Sequence, residues 1–148
     1  MSNVNYKPEG FHSVTPYLTV KGAAKLLDFL KQAFGAEELG RHLEPSGRVA
    51  HASVRIGDSI VELSDGTEKW PPMPCALHLY VPDVDATHKR AVQAGGTSLH
   101  EPMDQFYGER SSAVRDVCGN NWYIATQTEV LSKEEIEKRV AGMASKAS

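Results

Sequence analysis

The sequence predicts an α+β domain built from two tandem βαβββ modules, and three observations carry that reading. The first is an internal repeat at an offset of 61: Leu18 and Val20 recur as Leu79 and Val81, Gln32-Ala33 as Gln93-Ala94, Gly35 as Gly96, and Gly47 as Gly108. The second is the order of patterns in each half, where an alternating segment gives way to helical spacing and then to three more alternating segments. The third is Trp70-Pro71-Pro72-Met73-Pro74, a stiff connector, because proline fixes φ and cannot donate to a ladder.

In the first half, Val14 to Val20 alternates around β-branched and aromatic residues and predicts a strand. Gly22 to Phe34 predicts a helix with Leu26, Leu30 and Ala33 on one face, widened by Ala23, Leu27 and Phe34, and Gly35 stops it. Strands follow around 38–43, 49–56 and 59–63, with Pro45-Ser46-Gly47 and Gly57-Asp58 as turns. The second half predicts a strand over 76–81, then a helix capped by Asp83 and stopped by Gly95-Gly96. Strands around 97–100, 111–115 and 122–126 complete it, with Gly119 turning the chain before the last. A final helix opens on the capping box Ser132-Lys133-Glu134-Glu135 and carries an apolar stripe of Ile136, Val140 and Met143. The expected organisation is one domain over 1–148: module one at 12–67, connector at 68–75, module two at 76–128, and a C-terminal helix at 132–144.

Composition narrows the function. With 148 residues, 41% hydrophobic and 24% charged, the chain is neither disordered nor collagen-like and is long enough for one ordinary core. A net charge of −3 with scattered bases argues against a nucleic-acid partner, which requires clustered Lys and Arg. No apolar run is long enough to span a bilayer, and the polar stretch Met1 to Gly10 lacks the core of a signal peptide. Cys75 and Cys118 show no metal-ligand spacing and read as free thiols of a cytoplasmic protein.

Several segments in fixed order resemble the vicinal oxygen chelate superfamily of glyoxalases, bleomycin-resistance proteins and extradiol dioxygenases. They are Tyr17-Leu18-Thr19-Val20, Leu27-Asp28-Phe29, Phe34-Gly35-Ala36 and Gly57 to Leu63 in the first half. Val81-Pro82-Asp83-Val84-Asp85, Ala94-Gly95-Gly96 and Asp116-Val117-Cys118-Gly119-Asn120 carry it in the second. His51-Ala52 and Phe106-Tyr107-Gly108-Glu109-Arg110 look like its PhnB-type branch. The resemblance covers about 12–128. It implies a curved, mixed eight-stranded sheet with helices on the convex side and chemistry in the concave cup, completed in many members by a homodimer.

The resemblance also implies a divalent Fe, Mn, Ni or Zn ion acting as a Lewis acid, held by side chains from the first and fourth strands of each module. Laid on this sequence, those positions are Thr15, Glu62, Ala76 and Tyr123, and the offset of 61 independently relates Thr15 to Ala76 and Glu62 to Tyr123. Only Glu62 is a good ligand, so the usual site reads as degenerate. A relocated site would use Glu62 with His78, which shares the face of Ala76 on a strand. Strand parity separates His51, Ser53 and Arg55 from Ala50, Ala52, Val54 and Ile56, and places Tyr17, Tyr80 and Tyr123 on the concave face. The expected catalytic groups are Glu62, His78 and His51. The expected substrate contacts are Tyr17, Ser53, Arg55, Tyr80, Phe106, Tyr107, Arg110 and Tyr123, with Arg55 or Arg115 as a pairing partner for Glu62 and Asp104 to Arg110 as a loop over the cup. His12, His42, His88 and His100 read as rim or surface residues, and Cys118 as unreactive. The sequence leaves two main functions open: an enzyme on a small polar substrate with a degenerate or relocated metal, and a metal-free protein that sequesters a planar or cationic molecule. An interaction domain with a vestigial cup is a third. No nucleotide cofactor is expected.

Overall fold

Eight strands and three helices follow one another in the computed structural model in the order that the repeat predicts. It describes residues 3–147, with side chains through Ala144; Met1, Ser2 and Ser148, at the ends of the expected domain, lie outside the described residues. Module one comprises β1 (Tyr17–Val20), α1 (Ala23–Phe34), β2 (Glu37–Leu43), β3 (Val49–Ile56) and β4 (Ser59–Asp65). Module two comprises β5 (Ala76–Tyr80), α2 (Val84–Gln93), β6 (Thr97–Asp104), β7 (Glu109–Arg115) and β8 (Asn121–Gln127), and α3 (Lys133–Ala147) follows.

Each module forms a mixed four-stranded sheet, ordered β1-β4-β3-β2 in the first and β5-β8-β7-β6 in the second. The β1–β4 and β5–β8 pairs are parallel, and the remaining ladders are antiparallel. Among the described residues no ladder joins β1 to β5, so the eight strands stand as two half-sheets. The modules share one core instead. Leu26, Leu27, Phe29, Leu30 and Ala33 of α1 are buried with Leu18, Val54 and Leu63 of the first sheet and with Val114, Trp122 and Ile124 of the second. The Phe34 ring lies 4.8 Å from that of Trp122. Gly96 permits this closeness, since a side-chain carbon there would stand 2.9 Å from the Ala91 carbonyl oxygen and 3.1 Å from Phe29.

Three of the boundaries that differ from expectation have a local reason. The first strand begins at Tyr17 rather than Val14, because Pro16 has no N–H to donate and its carbonyl accepts from the Glu62 N–H at 2.9 Å. β6 continues to Asp104 through Pro102, which an edge strand tolerates, and its ladder with β7 shifts register between Ser98 and His100 and again before Met103. With β7 starting at Glu109, the expected loop over 104–110 shrinks to the turn 105–108. The capping box of α3 forms by half: the Glu135 N–H donates to Ser132 Oγ at 3.1 Å, but the Glu135 carboxylate accepts from Arg139.

The repeat holds in detail at the β2–β3 and β6–β7 turns. Glu44 N–H donates to the Arg48 carbonyl and Gly47 N–H to the Glu44 carbonyl; Gln105, Glu109 and Gly108 repeat both bonds. Gly47 and Gly108 adopt φ of 90° and 88°, which favours glycine. Arg48 and Glu109 are therefore equivalent residues in the two modules.

Candidate functional site

Register partners share a face of a sheet, so the ladders define each concave surface. In module one, Tyr17 pairs with Glu62, Glu62 with Ser53, and Ser53 with Gly40, while His51 pairs with His42. Tyr17, Ser53, Arg55, Glu62 and His51 thus share the concave face, as parity requires, and the hydrophobic partners Ala52, Val54 and Leu63 are buried on the other. His51 Nε2 donates to Glu62 Oε1 at 2.9 Å, and the Tyr17 ring stands 6.1 Å from the imidazole. The expected pairing of Glu62 with arginine is corrected here. Arg55 Nη1 donates to Glu37 Oε2 at 3.2 Å, and Arg115 Nε to Asn121 Oδ1 at 3.1 Å.

Two residues change place through a bulge. Leu43 pairs with Val49 and His42 with His51, so Ala50 is left over in β3. Val49 takes the buried position, and Ala50 lines the concave side with Tyr17, Thr19, Arg48, Ser64 and Trp70 around a hollow of about 370 Å³. His42 is in register with His51 on this face and is exposed, as a rim residue is expected to be. Trp70 and Arg48 were not expected. Arg48 is neutralised in place: Nε and Nη2 donate to the Glu44 carboxylate at 3.0 and 2.8 Å, and Nη1 to the Asp65 carbonyl at 2.6 Å. The N-terminal segment reaches the far end of the face, since a side-chain carbon at Gly10 would lie 3.5 Å from Arg55 and 3.7 Å from Ile60.

In module two, His78 pairs with Tyr123, and the His78 and Tyr80 rings meet at 4.5 Å. Tyr80 donates to Glu109 Oε1 at 2.8 Å, and that bond pushes its phenol above the ordinary value of 10. Tyr80, Val81, Pro82, Glu109, Thr126 and Gln127 line a hollow of about 600 Å³. Phe106 and Tyr107 pack edge-to-face at 5.1 Å in the neighbouring turn, whose Phe106 carbonyl accepts from Arg139 Nη1. Arg110 projects elsewhere. It donates twice to the Asp85 carboxylate on α2, at 2.8 and 2.9 Å, and once to Asp104. Glu109, its neighbour in sequence, takes the concave position instead.

The metal implied by the resemblance can be tested against these donors. Threonine, alanine and tyrosine at positions 15, 76 and 123 leave Glu62 as the one strong ligand, and its carboxylate accepts from His51. His78 belongs to the other half-sheet and contacts Tyr80. Among the described residues, no three His, Cys, Asp or Glu side chains stand where they could hold one ion. The donor set does not fit a four-ligand metal centre.

Other groups serve the fold. Burial, with Asp116 nearby, pushes the Cys118 thiol up to about 11, and it donates to the carbonyls of Lys21 and Gly22 at 3.4 Å. Burial also raises the Cys75 thiol. Neither is a poised nucleophile. His88 is buried between α2 and its sheet, with Nδ1 2.8 Å from Ser112 Oγ and Nε2 3.0 Å from Ser98 Oγ.

Two βαβββ halves with helices on the buried faces and polar-aromatic concave faces define a glyoxalase-type domain. The chain belongs to the Glyoxalase/Bleomycin resistance protein/Dioxygenase superfamily, whose model matches residues 10–124. An uncharacterized protein of Mycobacterium bovis is 34% identical over 145 residues, covering 90% of this chain and 93% of that one. Among solved structures, TioX from Micromonospora sp. ML1 superposes with a TM-score of 0.68 at 24% identity, covering 78% of this chain and 98% of its own. TnmS3, an antibiotic binding protein from Streptomyces sp. CB03234, gives 0.63 at 24% identity over 79% and 96%. A Bacillus cereus structure described as a putative 3-demethylubiquinone-9 3-methyltransferase, PhnB protein, gives 0.61 at 14% identity over 78% and 99% and shares the fold. No helix among the described residues is long and apolar enough to cross a membrane.

Proposed function

We propose that this protein binds a planar small molecule on its concave faces and releases it unchanged, without the superfamily's metal. One observation carries the reading: Tyr17, Trp70 and Tyr80 are exposed around the two hollows, while three of the superfamily's four ligand positions hold threonine, alanine and tyrosine. Large exposed aromatics on a concave surface are a binding feature rather than a packing one. That TnmS3 is an antibiotic binding protein is compatible with this reading. The test is a thermal-shift screen of planar aromatic compounds with and without a chelator. Hits are expected to stabilise the fold equally in both and to be recovered chemically intact. Stabilisation that disappears with chelator, or recovery of an altered compound, counts against it.

A second reading, catalysis, has one observation in its favour. Because His51 Nε2–H donates to Glu62, the imidazole is held in the tautomer whose Nδ1 can accept a proton, as a general base requires. An altered product formed by the wild type and absent with His51→Ala, binding retained, would establish it.

The open concave faces also support a homodimer in which a second copy closes the cup. Light scattering is expected to give twice the chain mass, and Tyr80→Glu, which adds charge to an exposed face, to shift the protein toward monomer. A monomeric wild type would exclude this assembly. The two free thiols fit a reducing, cytoplasmic location.

A further inference from the structure

The two hollows correspond through the repeat but differ in charge. At the position after the turn glycine, module one has Arg48, whose guanidinium is occupied by Glu44 and the Asp65 carbonyl. Module two has Glu109, half-buried, with Oε1 engaged by the Tyr80 hydroxyl and no donor to Oε2 among the described residues. No ion pair among the described residues compensates this carboxylate. Arg110 is turned to Asp85 and Asp104. Arg115, the cation on the same face of β7, lies six residues away, about 20 Å along the strand. Beside Glu109 stands Tyr80, which lines the same hollow. A half-buried carboxylate without a cation, next to an electron-rich ring, attracts an ammonium group through both charge and quadrupole.

We infer that the second-module hollow is a cation subsite, in which Glu109 Oε2 and the Tyr80 ring receive the protonated amine of an aromatic ligand. This rests on the binding reading above and adds to it the class of ligand, a planar aromatic amine, and the residue that selects it.

Three pyrene derivatives of one ring system, pyrenylmethylammonium, pyrenylmethanol and pyrenecarboxylate, test it by fluorescence titration at low salt. Wild type is expected to bind the ammonium roughly tenfold more tightly than the alcohol, and the carboxylate most weakly. Glu109→Gln should bring ammonium and alcohol to equal affinity. Glu109→Arg should reverse the order in favour of the carboxylate. Circular dichroism and urea midpoints matching wild type establish that both variants fold. Equal binding of all three probes by wild type, or an ammonium preference that survives Glu109→Gln, overturns the inference while the binding reading stands. If no probe binds, the binding reading fails and the cation subsite fails with it.

Discussion

Asp116→Ala is expected to lower the unfolding free energy by about 4 kcal/mol and the midpoint temperature by roughly 10 °C. The carboxylate is buried and accepts four hydrogen bonds from the turn that follows it and from β8. Oδ1 receives the backbone N–H groups of Cys118 at 2.8 Å and Asn120 at 3.0 Å; Oδ2 receives Asn120 Nδ2 at 3.0 Å and Trp122 Nε1 at 2.8 Å. Truncation leaves those donors desolvated and unpaired, which costs more than the bonds contribute net. The loss spreads because Asn120 Oδ1 accepts from the Cys75 N–H at 3.1 Å, tying the turn to the start of β5, and Trp122 packs on Phe34 across the modules. Urea unfolding followed by indole fluorescence reads the effect directly, since Trp122 is 2% exposed and Trp70 68%. Asp85→Ala is the comparison: it also removes a carboxylate with two short bonds, but an exposed one, and should cost far less than Asp116→Ala. Similar costs for the two variants would show that the buried turn is not a keystone of the second module.

Much of this architecture was legible in the sequence because duplication records itself. Gly47 and Gly108, 61 residues apart, mark the same turn, and the apolar positions of Gly22 to Phe34 declare the face that α1 buries. Strand parity placed Tyr17, His51, Ser53, Glu62, His78, Tyr80 and Tyr123 on the concave side, since a period of two needs no knowledge of pairing. Pairing itself was not legible. The extra residue at Ala50 and the alignment of His42 with His51 depend on a register set by the bulge in β3, for which the sequence carries no local mark. Glu62 chose His51 over Arg55 for a related reason: Glu37, opposite Arg55 on β2, claims the guanidinium. The arrangement of the strands as two half-sheets was hidden too, because it follows from the shared core of α1, Val114 and Trp122 and not from any strand. Glu109 is legible in the sequence: it lies within Phe106-Tyr107-Gly108-Glu109-Arg110, and the turn glycines alone align it with Arg48, whereas the more conspicuous Arg110 serves α2.

Asp65→Ala is expected to cost about 2 to 3 kcal/mol, and the cost should vanish in acid in a predictable direction. The N-cap of α1 is Gly22, which has no side chain with which to cap it. Asp65, at the end of β4, supplies the cap from a distance: Oδ1 accepts from the N–H groups of Gly22 at 3.0 Å and Ala23 at 2.8 Å, and Oδ2 from Val49 at 2.9 Å. Module two repeats the device with a neutral group, as Thr126 Oγ1 accepts from the Val84 N–H at 3.1 Å. A carboxylate at a helix N-terminus also meets the favourable end of the dipole, so Thr126→Val should cost only about 1 kcal/mol. Burial raises the Asp65 carboxyl, but the bonds from Ala23, Val49 and Gly22, with Arg48 nearby, outweigh it and hold the group below its ordinary value of 3.8. A depressed folded-state value means that the unfolded chain binds more protons in this range. The stabilisation is therefore full above pH 3.8 and is lost as pH falls through the folded value. Urea titrations of wild type and Asp65→Ala should diverge at neutral pH and converge below that window, while wild type and Thr126→Val keep a constant gap throughout. A gap for Asp65→Ala that persists unchanged into strong acid would assign its stabilisation to packing rather than to the ionised cap.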